Sequence, residues 1–139
     1  MRRYFVDSNV FLRFYSEDDQ KQRLQVKAML LRAQRKEIEL YCGPPVFFEV
    51  AWVLATTYEL PHDRILETLE TMLCTPNLRV LDVETVKDAI ELARKTNQGF
   101  ADSYIAITAR KLEIGVATFN VKHFSKLGTD LYQFDDSRV

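Results

Sequence analysis

The chain has 139 residues, 47% of them hydrophobic and 28% charged, which are globular proportions with enough apolar material for one core, so a single domain over 1–139 is expected. Four glycines, four prolines and 12% aromatics exclude a collagen-like, linker-rich or disordered chain. A formal charge of -1 gives no global attraction to nucleic acid, so such a partner must be met by a local basic patch.

In chain order, Tyr4, Phe5 and Val6 form an aromatic and β-branched run that reads as a strand buried on both faces, ending at Asp7. Val10, Phe11 and Phe14 then predict a short helix. Residues 19–36 predict an amphipathic helix with Leu24, Ala28 and Leu31 on one stripe and Val26, Leu30 and Ala33 widening it. No acid occurs between Gln20 and Lys36, where Lys21, Arg23, Lys27, Arg32, Arg35 and Lys36 give a basic outer face. That face is either simply solvated or a guide for a nucleic-acid backbone.

Residues 38–42 alternate as a strand, Gly43 stops it, and Pro44 and Pro45 suit the first turn of an apolar helix to about Tyr58. A helix with Ile65, Leu66, Leu69, Met72 and Leu73 inward follows and is broken at Thr75, Pro76 and Asn77. This stretch offers surface for a partner or plain core packing. Residues 78–83 read as a strand and 84–95 as a helix with Val86, Ala89, Ile90 and Ala93 inward. Residues 102–112 read as a further helix, and 115–119 and 131–134 as the last strands. Strands separated by helices predict an α/β domain with a mainly parallel sheet, whose ligands collect at the carboxyl ends of the strands. The glycine-rich phosphate loops of dinucleotide enzymes and P-loop nucleotidases are absent.

Cys42 and Cys74 have neither metal-ligand spacing nor disulfide density, so both are expected to be reduced core residues of a cytoplasmic protein. The longest apolar run, 46–55, is broken by Glu49 and is far shorter than a membrane span. No membrane association is expected.

Three acids stand in unusual places. Asp7 follows a strand directly, where it serves a site mouth or a helix N-cap. Glu49 is the single charge in an otherwise apolar helix. It requires a cation, a donor, a metal or a watery cleft, unless the helix exposes a narrow edge there. Asp102 heads a helix of small and apolar residues and reads alone as an N-cap, while Asn120 closes a strand and reads alone as a turn former. Together they suggest convergence. Two carboxylates about 4 Å apart repel by roughly 4 kcal/mol at an effective dielectric of about 20, so such a cluster calls for protons or a hard cation. Oxygen donors without a His-rich or Cys-rich set favour Mg²⁺ or Mn²⁺ over zinc, and such an ion suits phosphodiester hydrolysis.

The opening Tyr4 to Val10, the Phe48-Glu49-Val50 helix, the segment Phe100 to Ala106 and the strand end Ala117-Thr118-Phe119-Asn120 resemble, in order and spacing, the motifs of the PIN-domain ribonucleases. Small members of this size resemble VapC-type toxins. The resemblance implies a Rossmann-like three-layer α/β/α sandwich whose acidic cleft binds Mg²⁺ or Mn²⁺ and cleaves RNA. It implies Asp7 and Asp102 as principal metal ligands, Glu49 as a third acid, and Ser8, Asn9 and Thr118 as polar residues that steady the acids. Asn120 stands where many members have a fourth Asp, so one firmly bound ion is expected. His123 falls where some relatives have Asp and serves phosphate contact or simply a surface loop; His62 reads as helix-start surface. Lys21, Arg23 and Lys27 would guide RNA. The implied partners are a small VapB-type antitoxin and a second copy in a homodimer. The rival reading is a catalytically degenerate PIN-like binding or signalling domain, to which a receiver-type phospho-acceptor fits poorly because Asp7 is followed by Ser8 and Asn9.

Overall fold

A computed structural model describes residues 1–134, so the last five residues of the expected domain lie outside the described region. The chain gathers into two compact units, the first running from Met1 to Val83 and the second beginning at Glu84.

The first unit is built on a parallel sheet of β1 (Arg2–Phe5), β2 (Ile38–Cys42) and β3 (Leu78–Val80), in the order β1-β2-β3. Parallel neighbours need crossover connections, and here each crossover is a pair of helices. Helices α1 (Ser8–Tyr15) and α2 (Gln20–Gln34) link β1 to β2, and α3 (Pro44–Thr56) and α4 (His62–Leu73) link β2 to β3. The register pairs Arg2 with Ile38 and Leu40 with Leu78, and Val6 N–H donates to Tyr41 O at 2.8 Å to close the ladder at the carboxyl end. β2 is the central strand, and its Ile38, Leu40 and Cys42 are buried. Phe47 and Val50 of α3 and Leu66, Leu69 and Met72 of α4 are fully enclosed. The apolar side chains of α4 named above are therefore core, and Ile65, Leu69 and Met72 are withheld from any partner.

Three expectations are corrected in this unit. β1 is an edge strand in the sheet, with all four residues exposed, and only Val6 of its apolar run is buried. In α2 the stripe of Leu24, Ala28 and Leu31 faces solvent, while Val26, Met29 and Leu30 are half-buried and Ala33 is fully enclosed. Both stripes have helical spacing. The buried one carries a side chain at 26, 29, 30 and 33, a wider apolar band than 24, 28 and 31, and the wider band wins the packing. Cys74 is likewise exposed, since α4 ends one residue before it, whereas Cys42 is buried.

The second unit holds α5 (Val83–Thr96, whose first residue closes the first unit), α6 (Phe100–Leu112) and α7 (Val121–Lys126). Val86, Ala89, Ile90 and Ala93 of α5 are buried as the periodicity predicts. Ala106 and Ala109 of α6 pack with Val116, Phe124 and Leu127, and Leu92 and Leu131 lean on that cluster. The expected strands 115–119 and 131–134 reduce to one parallel bridge, Val116 with Leu131, carried by Val116 N–H to Asp130 O at 2.8 Å and Tyr132 N–H to Val116 O at 2.9 Å. Gly115 permits this approach, because a Cβ there would lie 3.0 Å from Asp130 O. Among the described residues, no helix is long and apolar enough to cross a membrane.

Candidate active site

In the first unit the carboxyl end of β1 delivers Asp7 as the N-cap of α1. Its backbone is extended (φ -80, ψ 162) and its Oδ1 accepts from Ser8 N–H at 2.8 Å, so the N-cap role and the strand-end position coincide. Ser8 is buried at 1% exposure, and its Oγ donates to Glu49 Oε1 at 2.5 Å. α3 starts right after β2, with Gly43 as N-cap and the two prolines opening it, and this fixes the phase at which Glu49 emerges. Glu49 is exposed, which corrects the picture of a buried charge: water and the Ser8 hydroxyl together meet its needs. The first unit thus ties the carboxylate of Glu49 to the residue next to Asp7.

Asn9 lines a groove of about 420 Å³ with Arg13 of α1 and Gln22 and Gln25 of α2. Lys21, Arg23 and Lys27 are all exposed on α2. Arg23 is committed locally: its Nε donates to Phe14 O at 3.1 Å and its guanidinium lies 6.0 Å from the Phe14 ring centroid.

In the second unit Gly99, not Asp102, is the N-cap of α6. Asp102 sits in the first turn, where the helix dipole favours a carboxylate, and its side chain is 29% exposed. Asn120 precedes α7, and its backbone N–H donates to Thr118 Oγ1 at 2.9 Å; Thr118 therefore steadies the Asn120 backbone. α7 brings His123 back so that its Nδ1 lies 2.8 Å from Asn120 Nδ2 and 3.5 Å from Asp102 Oδ2. With the ring's proton on Nε2, Nδ1 accepts from Asn120 Nδ2, and a charged ring would pair ionically with Asp102. The second unit therefore assembles Asp102, Asn120 and His123, all on or beside helical ends.

Asp102, Asn120 and His123 were each named from the sequence, but helix α7 and the pairing of His123 with the other two were missed. The signal was present in Asn120 as a helix starter, Phe124 and Leu127 three apart, and Gly128, whose φ of 74 ends the turn.

Among the described residues no group of three or more His, Cys, Asp or Glu side chains is arranged to hold a metal ion. The donors in the two clusters are nonetheless of one chemical kind, carboxylate, hydroxyl and amide oxygens beside one imidazole. Mg²⁺ keeps several waters and takes one or two protein carboxylates, so this donor set fits a hard divalent ion. Thiolate ligation has no support: burial pushes the Cys42 thiol up to about 11.

A family model described as PIN domain matches residues 4–129, a span that runs through both units. The chain belongs to the PIN-domain family. PIN domains are generally nucleases, and PIN nucleases generally use divalent metals. Among solved structures, this PIN domain is similar to VapBC2 from Rickettsia felis bound to a DNA fragment from their promoter, at 16% identity and a TM-score of 0.39, over 96% of this chain and 99% of that one. It is similar to FitAB bound to the IR36 DNA fragment at 16% identity and a TM-score of 0.37, over 93% of each chain. It is also similar to FitAcB from Neisseria gonorrhoeae at 18% identity and a TM-score of 0.35, over 94% of this chain and 96% of that one. No curated protein matches the chain in sequence.

Proposed function

We propose that this PIN domain is a single-domain, Mg²⁺- or Mn²⁺-dependent endoribonuclease of the VapC type, the cytoplasmic toxin of a type II toxin-antitoxin pair, acting as a homodimer and blocked by a small VapB-type antitoxin. The observation that carries the reading is the bond from buried Ser8 to Glu49. It fixes the one charged side chain of an otherwise apolar helix, exposed to water, next to the Asp7 strand end. On the family resemblance, Asp7 and Asp102 are the principal metal ligands and Glu49 is the third acid. When bound, a divalent ion supplies an activated water and offsets charge on the phosphate. The chain's own part is to hold the acids: Ser8 fixes Glu49, the first turn of α6 carries Asp102, and Asn120 and His123 offer a donor and an acceptor beside it.

The test is cleavage of RNA with Mg²⁺ or Mn²⁺ by the wild type, Asp7→Ala and Asp102→Ala. Cleavage by the wild type with a loss of about 100-fold or more in each variant supports the reading, given the typical size of metal-ligand and acid-base contributions. Equal activity in all three overturns it. Asn120 favours one second reading, a degenerate PIN domain that only binds partners, because its amide brings no charge and is engaged with His123. A calorimetric titration showing no Mn²⁺ binding selects that version.

A further inference from the structure

Three aromatic side chains of the second unit stand in solvent, and one of them, Phe119, directly precedes Asn120 in the chain. Phe119 is 85% exposed, Tyr132 61% and Phe134 48%. The Phe119 and Phe134 rings are stacked, with centroids 4.3 Å apart and planes 19° from parallel, and Tyr132 meets Phe134 edge-on at 5.0 Å. The main-chain bond from Tyr132 to Val116 O holds the two segments together. Contiguous exposed aromatic surface is unfavourable in water, and its retention marks a contact site.

We infer that this stack is a platform for one unpaired base of single-stranded RNA. Two features select a base over a protein surface. Phe119 is bonded directly to Asn120, so a base on its open face lies next to the residues proposed to act on the phosphodiester. The α7 segment that follows Asn120 holds Lys122, His123 and Lys126 and no acid, which suits backbone phosphates on that side, while Asp130, Asp135 and Asp136 flank the stretch of chain from Tyr132 to Phe134. Aromatic faces flanked by cations are the common means of binding single strands, because every base presents a π face. The inference rests on the ribonuclease reading and adds to it how the strand is seated.

The experiment measures binding of labelled ten-nucleotide oligoadenylate, single-stranded and paired with oligouridylate, by fluorescence anisotropy in EDTA. The proteins are the wild type, Phe119→Ala and Phe119→Trp. The expected result is that Phe119→Ala weakens single-strand binding by about tenfold, within the range for one stacked base, leaves duplex binding unchanged, and that Phe119→Trp restores it. Because Phe119 is exposed, the alanine variant is expected to melt with the wild type, and circular dichroism checks this. Equal single-strand affinity in wild type and Phe119→Ala overturns the platform while leaving wild-type cleavage intact. A change in oligomeric mass without a change in RNA binding overturns it in favour of a protein contact. A wild type that neither binds nor cleaves RNA overturns the ribonuclease reading, and the platform with it.

Discussion

Ser8 is the residue on which the first half of the candidate site turns. Its side chain is enclosed, its backbone caps on Asp7, and its hydroxyl has one acidic acceptor, Glu49. Removing that hydroxyl leaves Glu49 solvated, so the stability loss is expected to be small, about 1 kcal/mol, the usual net worth of one hydrogen bond. The functional loss is larger, because a carboxylate freed from its orienting donor samples many rotamers. Ser8→Ala is expected to lower Mn²⁺ affinity or RNA cleavage by about 10- to 100-fold, as loss of an orienting partner does at metal sites. Calorimetry and a cleavage assay check this, and Ser8→Thr, which keeps the hydroxyl, is expected to recover part of it. At this scale the sequence is legible where chemistry is anomalous: Glu49 stands out because a charge in an apolar helix is costly. The pairing of His123 with Asp102 and Asn120 was not legible, because it depends on a six-residue helix, too short for periodicity to declare.

The elements were legible wherever one apolar face has a single solution. α5 buries the side chains its spacing predicts, α4 buries all of its predicted set but Leu73, which is half-buried at the helix end, and β2 alternates as its sequence does. α2 has two candidate stripes, and spacing alone does not choose between them. The choice is measurable: Leu24→Ala is expected to change stability by less than about 0.5 kcal/mol, as exposed substitutions do, while Ala33→Leu, which forces bulk into an enclosed position, costs about 1–3 kcal/mol. Urea unfolding of the two variants reads the difference directly. β1 misled because an aromatic, β-branched run suits an exposed edge as well as a buried centre. Its tie to the sheet is partly ionic: Glu39 of β2 lies 3.7 Å from Arg3 of β1 and 3.5 Å from Arg79 of β3, and accepts from Tyr41 OH at 2.5 Å. The Tyr41 hydroxyl first, then Arg79 and Arg3, hold the Glu39 carboxyl below its ordinary value against the opposing effect of desolvation. A lowered carboxyl contributes stability above its unfolded value and loses it as pH falls through its folded value. The stability gap between wild type and Glu39→Gln is therefore expected to be largest near neutral pH and to close as the pH drops below about 4, which thermal melts across that range follow.

At the scale of the whole molecule, a net charge of -1 says little about nucleic acid, because recognition depends on where the charges lie. α2 carries Lys21, Arg23, Lys27 and Arg32 exposed on an acid-free helix, with Arg35 and Lys36 just beyond its end. Arg23 already serves α1 through Phe14, so Lys21 and Lys27 are the better probes of an RNA contact. If this face meets the backbone of a single strand, each phosphate contact releases counterions and steepens the fall of log affinity with log salt by about 0.7. Lys21→Glu and Lys27→Glu together are then expected to weaken RNA binding at low salt and to flatten that slope by roughly 1.4, two contacts' worth. Arg23→Glu is expected to act differently, disturbing the seating of α1 against α2 and lowering the melting temperature as well. A salt series from low to physiological ionic strength separates the two effects, since a stability defect leaves the slope of the folded fraction unchanged. An unaltered slope in the double lysine variant assigns the basic face of α2 to solvation alone and moves the search for the phosphate track to Lys122 and Lys126, beside Asn120.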